Sequence, residues 1–256
     1  MLGLDTMMSD ILVRLFGWKM GVLFGDPALF DRWQFLRDRI NHGSGRTLDA
    51  GCGSGAYALY AARLGNATVG ISFDEGSNQK GANRARILGI NNISFITADL
   101  RELGKYRDQL GAFDQIICFE TIEHILNDEQ LIKDLQTLLK AKGKIFLTTP
   151  FKRSNAPHGE TLSSCEDGGH VREGYTHQEI KEIFARNGLT VIEETFITGF
   201  ISQQLIYLTC WLDKHLPHSL TWGLVLPLRI FQAFDRLVTD LTGYPYLCIG
   251  VVGIKD

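Results

Sequence analysis

The chain has 256 residues, 45% hydrophobic and 21% charged, which describes a globular protein rather than a disordered one. A formal net charge of −3 leaves no electrostatic footprint for nucleic acid. The five cysteines, Cys52, Cys118, Cys165, Cys210 and Cys248, form no Cys-x-x-Cys pair, which argues against a zinc ribbon or disulfide framework and for a reduced, cytoplasmic setting.

Asp5 and Asp10 precede any basic residue, so the start does not read as a secretory signal. Residues 7–40 read as one or two amphipathic helices, with Ile11, Leu12, Leu15, Phe16, Met20 and Leu23 near helical spacing. Gly25-Asp26-Pro27 interrupts the run, with Asp26 as N-cap and Pro27 in the first turn of a further helix carrying Phe30, Trp33, Phe35 and Leu36. Residues 1–44 are thus a helical cover on residues 45–256, either plain packing or a lid over a pocket.

Residues 47–55 organise the rest. Thr47-Leu48-Asp49-Ala50 runs into Gly51-Cys52-Gly53-Ser54-Gly55 and then a helical stretch from Ala56: strand, tight turn, helix. Glycine lets a ligand approach the main chain without meeting a Cβ. A second strand follows at 67–73, a helix at 74–88 closed by Gly89, and a third strand at 93–99. A fourth strand spans 113–119, a helix 128–140 and a fifth strand 144–149, stopped by Pro150. Residues 151–175 are a polar loop. Thr176 and Glu179 form a capping box for a helix ending near Gly188, a sixth strand spans 189–197, and the last strand spans 246–254. Strands alternating with helices imply a parallel sheet covered on both faces.

In order and spacing these motifs resemble the class I S-adenosylmethionine (SAM)-dependent methyltransferases. The resemblance rests on Leu48 to Gly55, Val69-Gly70-Ile71-Ser72, Ala98-Asp99-Leu100, Phe119-Glu120-Thr121-Ile122-Glu123-His124, and Leu138 through Pro150. It covers about residues 45–197 and the last strand. It implies an α/β, Rossmann-like, seven-stranded and mostly parallel sheet with an antiparallel last strand, here with N-terminal helices and a helical insertion before that strand. SAM is the implied cofactor, S-adenosylhomocysteine its product, and a small molecule the acceptor. By the same resemblance Asp49, Gly51, Cys52, Gly53 and Gly55 surround the amino-acid end of SAM, Ser72 stands at its ribose, Asp99 and Leu100 at its adenine, and Phe73 and Glu120 complete the cofactor site. Ser72 stands where the family usually has an acidic residue for both ribose hydroxyls, and a hydroxyl cannot make both contacts. Asp74 or Glu75 is the substitute at hand. Ser72 also echoes C-methylating relatives.

For a hydroxyl acceptor a base is needed, and histidine suits neutral pH. His170 in the loop after the fifth strand and His124 after the fourth are the candidates. For His124 the alternative is a structural hydrogen bond to backbone. Arg172 and Tyr175 either contact substrate or belong to a solvated loop. His158, Glu160, Cys165 and His170 match no regular metal spacing, so no metal is expected.

Residues 198–245 are unusual. No charged residue falls between Glu194 and Asp213, and Pro217 divides two apolar helices. The stretch reads as a substrate cover, with a peripheral membrane contact or a homodimer face as alternatives and a membrane span disfavoured by Gly199, Ser202, Gln203 and Gln204. The expected reaction is O-methylation of a hydrophobic, lipid-linked or sugar hydroxyl. C-methylation of a quinone-like acceptor, a non-catalytic SAM-fold binding protein and a nicotinamide-dependent oxidoreductase are the rivals.

Overall fold

A computed structural model describes residues 2–43, 45–152 and 162–256, with the side chains of residues 2–8 left aside. Seven strands form one sheet in the order β3-β2-β1-β4-β5-β7-β6. They are β1 (Arg46–Ala50), β2 (Ala67–Ser72), β3 (Ile93–Thr97), β4 (Phe113–Phe119), β5 (Leu139–Pro150), β6 (Leu189–Ile197) and β7 (Cys248–Lys255). β7 lies antiparallel between β5 and β6, and the pairings from β3 through β5 are parallel. The fold expectation therefore holds. Because β1 has β2 on one side and β4 on the other, the strand order reverses there, and a crevice opens beyond the carboxyl ends of β1 and β4.

The strands bury both faces because their side chains alternate with period two. Ile116 and Cys118 of β4 and Ile145 and Leu147 of β5 point to one face. That face is covered by α7 (Asp128–Leu138) through Leu131, Ile132 and Leu135, and by α8 (His177–Arg186) through Ile180 and Phe184. Ile117, Phe119 and Phe146 point to the other, against Phe35 and Leu36 of α3 (Pro27–Arg37) and Tyr57, Tyr60 and Ala61 of α4 (Ala56–Arg63). Phe146 and Phe184 are fully buried, and truncating either to Ala would cost about 3–5 kcal/mol.

The N-terminal cover is three helices, not one or two: α1 (Leu2–Phe16), α2 (Lys19–Leu23) and α3. Gly17, at φ 62°, makes the extra break. Asp26 caps α3 as expected, accepting from the Ala28 N–H at 2.7 Å with Pro27 behind it. α5 (Glu75–Leu88) follows β2, with Asp74 as its cap. The capping box of α8 forms, Thr176 accepting from the Glu179 N–H at 3.2 Å. The helix expected to reach residue 140 stops at Leu138, and β5 starts five residues earlier than expected, because Leu139 already pairs with Phe113. The third and last strands are shorter than expected at one end, β3 stopping at Thr97 and β7 starting at Cys248.

Residues 198–245 hold more than the two expected helices. α9 (Phe200–Asp213) and α10 (His218–Leu228) flank Pro217; a 3-10 segment (Arg229–Phe234) and a third helix, α11 (Asp235–Thr242), follow. Pro227 lies one residue before α10 ends. Leu205, Leu212, Trp222 and Val225 make a small separate core, with Phe24 of the N-terminal cover packed against it. Among the described residues no helix is long and apolar enough to cross a membrane. Leu220, Leu224, Ile230, Phe231, Leu237 and Leu241 keep more than half of their surface exposed.

Candidate active site

The crevice has two sides. The first is made by the glycine turn. Gly51 and Cys52 both donate their N–H to the Ile71 carbonyl, at 3.0 and 2.9 Å, which bends the chain back across β2. A Cβ on Gly51 would stand 2.2 Å from Thr121 Oγ1, so glycine is needed for the β4 loop to cross the turn. Gly53 differs: its φ is +50° and a Cβ there would meet nothing within 4 Å. The main chain at Gly53 therefore faces open space, and a ligand can reach it. Arg84 of α5 pins the turn through Ser54 Oγ at 2.9 Å.

Asp49 lies beneath this turn with 1% of its surface exposed. Burial raises its carboxyl to about 7, partly offset by the Ala58 N–H in the first turn of α4. Its Oδ2 is buried with no hydrogen-bond partner. An orphaned buried carboxylate oxygen next to an open glycine fits a ligand that brings an ammonium, as the amino-acid end of SAM does. Cys52 is buried and its thiol is pushed up by that burial, which makes it a wall rather than a nucleophile.

The residues that the resemblance gives to ribose and adenine sit along the ends of β2 and β3. Ser72 is buried and its Oγ accepts from the Asp74 N–H at 3.2 Å. Asp74 gives both carboxylate oxygens to the start of α5, at Gly76 and Ser77. Glu75 instead accepts from Gln79 at 3.0 Å. Phe73 is 78% exposed and offers a flat apolar face at the sheet edge. Asp99 caps the segment after β3 by accepting from the Arg101 N–H at 2.9 Å, and the Arg101 guanidinium beside it lowers its carboxyl further. Leu100 is buried there.

The second side is built from side chains. Glu120 follows β4 with φ 45°, a strained value for a residue with a Cβ. Its Oε1 accepts from Thr148 Oγ1 at 3.0 Å, and its Oε2 pairs with Arg32 of α3 at 3.1 Å. The carboxylate that the resemblance gives to the cofactor is thus held by β5 and the N-terminal cover. Glu123 is fully buried, and burial together with the neighbouring Glu120 charge raises its carboxyl well above the ordinary range. Its Oε2 accepts from Thr149 Oγ1 at 3.2 Å, while Oε1 has no hydrogen-bond partner and lies 3.9 Å from His124 Nε2.

His124 and His170 meet edge to face with ring centroids 4.7 Å apart. His124 Nδ1 lies 3.1 Å from the Gly169 carbonyl, so the backbone contact weighed for His124 is present. The loop is strapped over the β4 end by Val171 N–H to the Glu123 carbonyl at 3.0 Å. Arg172 pairs with Asp128 and donates to the Ile125 carbonyl at 2.7 Å, and the Tyr175 hydroxyl donates to Asp128 at 2.6 Å. Both serve the loop's anchorage. One donor atom each from Glu123, His124 and His170 lies within 4.8 Å of the others, a spacing that a metal ion can bridge. The four residues weighed for metal in the sequence are a different set, of which His158 and Glu160 lie outside the described residues.

Sequence reasoning named both histidines and the glycine turn. It passed over Arg32 and quoted Glu123 only within the fourth-strand motif, without a role. The signal for Glu123 was the spacing Glu120-x-x-Glu123-His124, two carboxylates and an imidazole in one short turn after a strand. For Arg32 it was Asp31-Arg32, charges inside a helix otherwise read as apolar cover.

Comparison with known proteins agrees with this geometry. A family model described as a methyltransferase domain matches residues 24–194, about two thirds of the chain. A ubiquinone biosynthesis O-methyltransferase of Acinetobacter baumannii is 33% identical over 104 residues, 41% of this chain and 43% of that protein. One from Xanthomonas axonopodis pv. citri is 28% identical over 118 residues, 46% and 48% of the two chains. These matches therefore span less than half the length of the relatives. Among solved structures, the [4+2]-cyclase SpnF aligns with TM-score 0.61 at 19% identity over 88% of this chain and 80% of that one. The magnesium protoporphyrin IX methyltransferase ChlM from Synechocystis PCC 6803, with bound SAM, aligns with TM-score 0.55 at 16% identity over 97% of both. At these identities the structures speak for the fold alone, whereas the family model covers the glycine turn, the β4 end and the histidine loop together: the chain belongs to the class I S-adenosylmethionine-dependent methyltransferase family.

Proposed function

We propose that the chain moves a methyl group from SAM to a hydroxyl of a small hydrophobic acceptor. The observation that carries this reading is the pair His124–His170, backed by the buried Glu123, beyond the carboxyl end of β4, the neighbour of the strand that leads into the open turn at Gly53. When bound, SAM supplies an electrophilic methyl on a sulfonium, so the protein's part is to align the acceptor, exclude water and remove a proton. Asp49 and the main chain of 51–55 would hold the amino-acid end, with Phe73, Asp99 and Leu100 around the adenosine. His170 would take the acceptor's proton, with its ring set by its edge-to-face contact with His124 and that ring set by Gly169. The Arg32–Glu120 pair would close the crevice from above with the N-terminal cover.

A second reading rests on the same three residues. A divalent cation held by Glu123, His124 and His170 would lower the acceptor hydroxyl's pKa without a free base. The orphaned Glu123 Oε1 favours it. The exposed leucines of α10 and α11, with Phe231 and Phe234 of the 3-10 segment between them, support an acceptor delivered at a lipid surface; co-flotation with phospholipid vesicles checks this, and a protein that stays at the bottom of the gradient rejects it.

The test of the function is an assay with labelled SAM and a prenylated catechol, run beside the same compound with its hydroxyls capped. Label in the free catechol only supports O-methylation. Equal label in both would make the carbon the acceptor and overturn the base assignment. Loss of turnover on chelation, restored by a divalent cation, would choose the metal reading over the histidine as base.

A further inference from the structure

Residues 229–242 are folded inside out. A surface helix ordinarily buries its apolar stripe and shows water its polar one. Here the residues turned inward are Arg229, Gln232, Asp235 and Thr239, all buried and three or four apart. Each is hydrogen-bonded. Arg229 donates to the Gly25 and Pro27 carbonyls, both at 3.3 Å, and Gln232 donates to Ser202 Oγ at 3.0 Å. Asp235 accepts from the Gly199 and Ser202 N–H groups at 2.7 and 3.0 Å, and Thr239 Oγ1 accepts from the Phe200 N–H at 2.8 Å. The residues left outside are Ile230, Phe231, Phe234, Leu237 and Leu241, each more than half exposed. The inner face is thus committed to the protein, and the apolar face has no cover.

This face continues on either side. Leu220 and Leu224 of α10 extend it. Towards the N-terminal cover, Phe24 lies 6.5 Å from Trp222 of α10, and Phe16, at the exposed end of α1 beside Leu15, meets Phe24 edge to face with centroids 4.9 Å apart. The charges around it lean one way. In a chain of net charge −3, residues 11–25 and 213–242 carry Arg14, Lys19, Lys214, Arg229 and Arg236 against Asp213, Asp235 and Asp240. Arg229 and Asp235 are spent inward, Asp213 faces His218 at 3.2 Å, and Asp240 accepts from the Tyr246 hydroxyl at 2.8 Å. Arg14, Lys19, Lys214 and Arg236 are exposed.

We propose that this face docks on an anionic phospholipid surface, with Leu220, Leu224, Phe231, Phe234, Leu237 and Leu241 among the acyl chains and the exposed cations at the headgroups. Helices that lie in the interface carry this combination of an apolar face and flanking cations. A second copy of the chain is the competing occupant, but in a two-fold dimer the same face meets itself and brings like cations together. Docking rests on the reading of a hydrophobic acceptor delivered at a lipid surface and supplies its residues. Gln232 also donates to Asp31 at 3.3 Å, which ties the docking segment to α3, the helix whose Arg32 pairs with Glu120 at the crevice.

The probe is vesicle flotation of the full chain without SAM or acceptor, so a failure here and a failure of methyl transfer are told apart. Vesicles of phosphatidylcholine with phosphatidylglycerol should carry the chain upward, phosphatidylcholine alone should do so less, and added salt should narrow the difference. Phe231→Asp with Leu237→Asp, both at exposed positions, should weaken binding at least about tenfold with the thermal melt retained. Arg236→Gln should weaken it by about fivefold on the anionic vesicles only. No flotation on anionic vesicles, equal binding to the two vesicle types, or unchanged flotation of the double variant would overturn the proposal. A dimer in sedimentation that the double variant dissolves, with no flotation, would give the face to a second copy instead.

Discussion

The two sides of the crevice are built by different means. The side read for the methyl donor is backbone: three glycines at positive φ, amides bent onto the Ile71 carbonyl, and one buried carboxylate beneath. The acceptor side is side chains gathered from far apart in the chain: Arg32 from α3, Glu120 and Glu123 after β4, Thr148 and Thr149 from β5, and His170 from the loop beyond it. Backbone sites are fixed by covalent geometry and change little between relatives. Side-chain sites can be rebuilt one residue at a time, which suits a fold whose neighbours include both a methyltransferase and a cyclase.

The largest effect that divides the two sides is expected from His170→Ala. Turnover should fall by about 10²–10⁴-fold while SAM affinity, read by calorimetry, stays as in the parent. A parallel loss of SAM affinity would place His170 on the donor side and erase the division.

Arg32→Met comes next. It leaves the half-buried Glu120 beside the raised Glu123 without its cation, and should cost about 3 kcal/mol in chemical denaturation. SAM affinity measured on the same variant sharpens the comparison. If it holds, Glu120 belongs with the acceptor; if it collapses, the family's assignment of this carboxylate to the cofactor is right.

Gly53→Val works from the other side. The position has room for a Cβ inside the protein, so the fold survives with strain of about 1–2 kcal/mol at a positive φ. The added side chain occupies the space a ligand would use, and SAM affinity should drop by about 100-fold, or roughly 3 kcal/mol. Unchanged affinity would remove the glycine turn from the cofactor site.

The smallest effect is a pH dependence at the junction of the N-terminal cover and the insertion. Asp31 holds its proton up to about pH 7 in the folded chain and only to about pH 4 when unfolded. Its favourable share of stability is therefore present at low pH and is lost as pH rises through about 7. Asp31→Asn should raise stability at pH 8 by roughly 1–4 kcal/mol and do little at pH 4. Thermal melts at the two pH values check this, and an equal effect at both would show that ionisation of Asp31 plays no part.

The same contrast explains what could be read from the sequence. β4 and β6 begin and end where their residue patterns place them, because alternation and flanking turns are local signals. The glycine turn was legible for the same reason. α11 and the early start of β5 were not: the first depends on Asp235 and Thr239 meeting Gly199 and Phe200, the second on Leu139 meeting Phe113. Arg32–Glu120 is likewise a tertiary contact that no local pattern announces. Proximity in sequence put Asp74 beside the ribose, whereas the cap that its two oxygens give α5 was not read from the sequence.

The central claim is that the crevice moves a methyl group rather than only holding SAM. Incubating the chain with trideuteromethyl-labelled SAM and an extract of cell lipids and metabolites, then searching by mass spectrometry for a trideuteromethyl gain, tests it most directly. The account predicts a labelled methyl ether of a hydrophobic hydroxyl compound, lost in His170→Ala and in Gly53→Val. SAM bound with normal affinity but no labelled product, in extracts with and without added divalent cations, would contradict it and leave a binding protein on a methyltransferase fold.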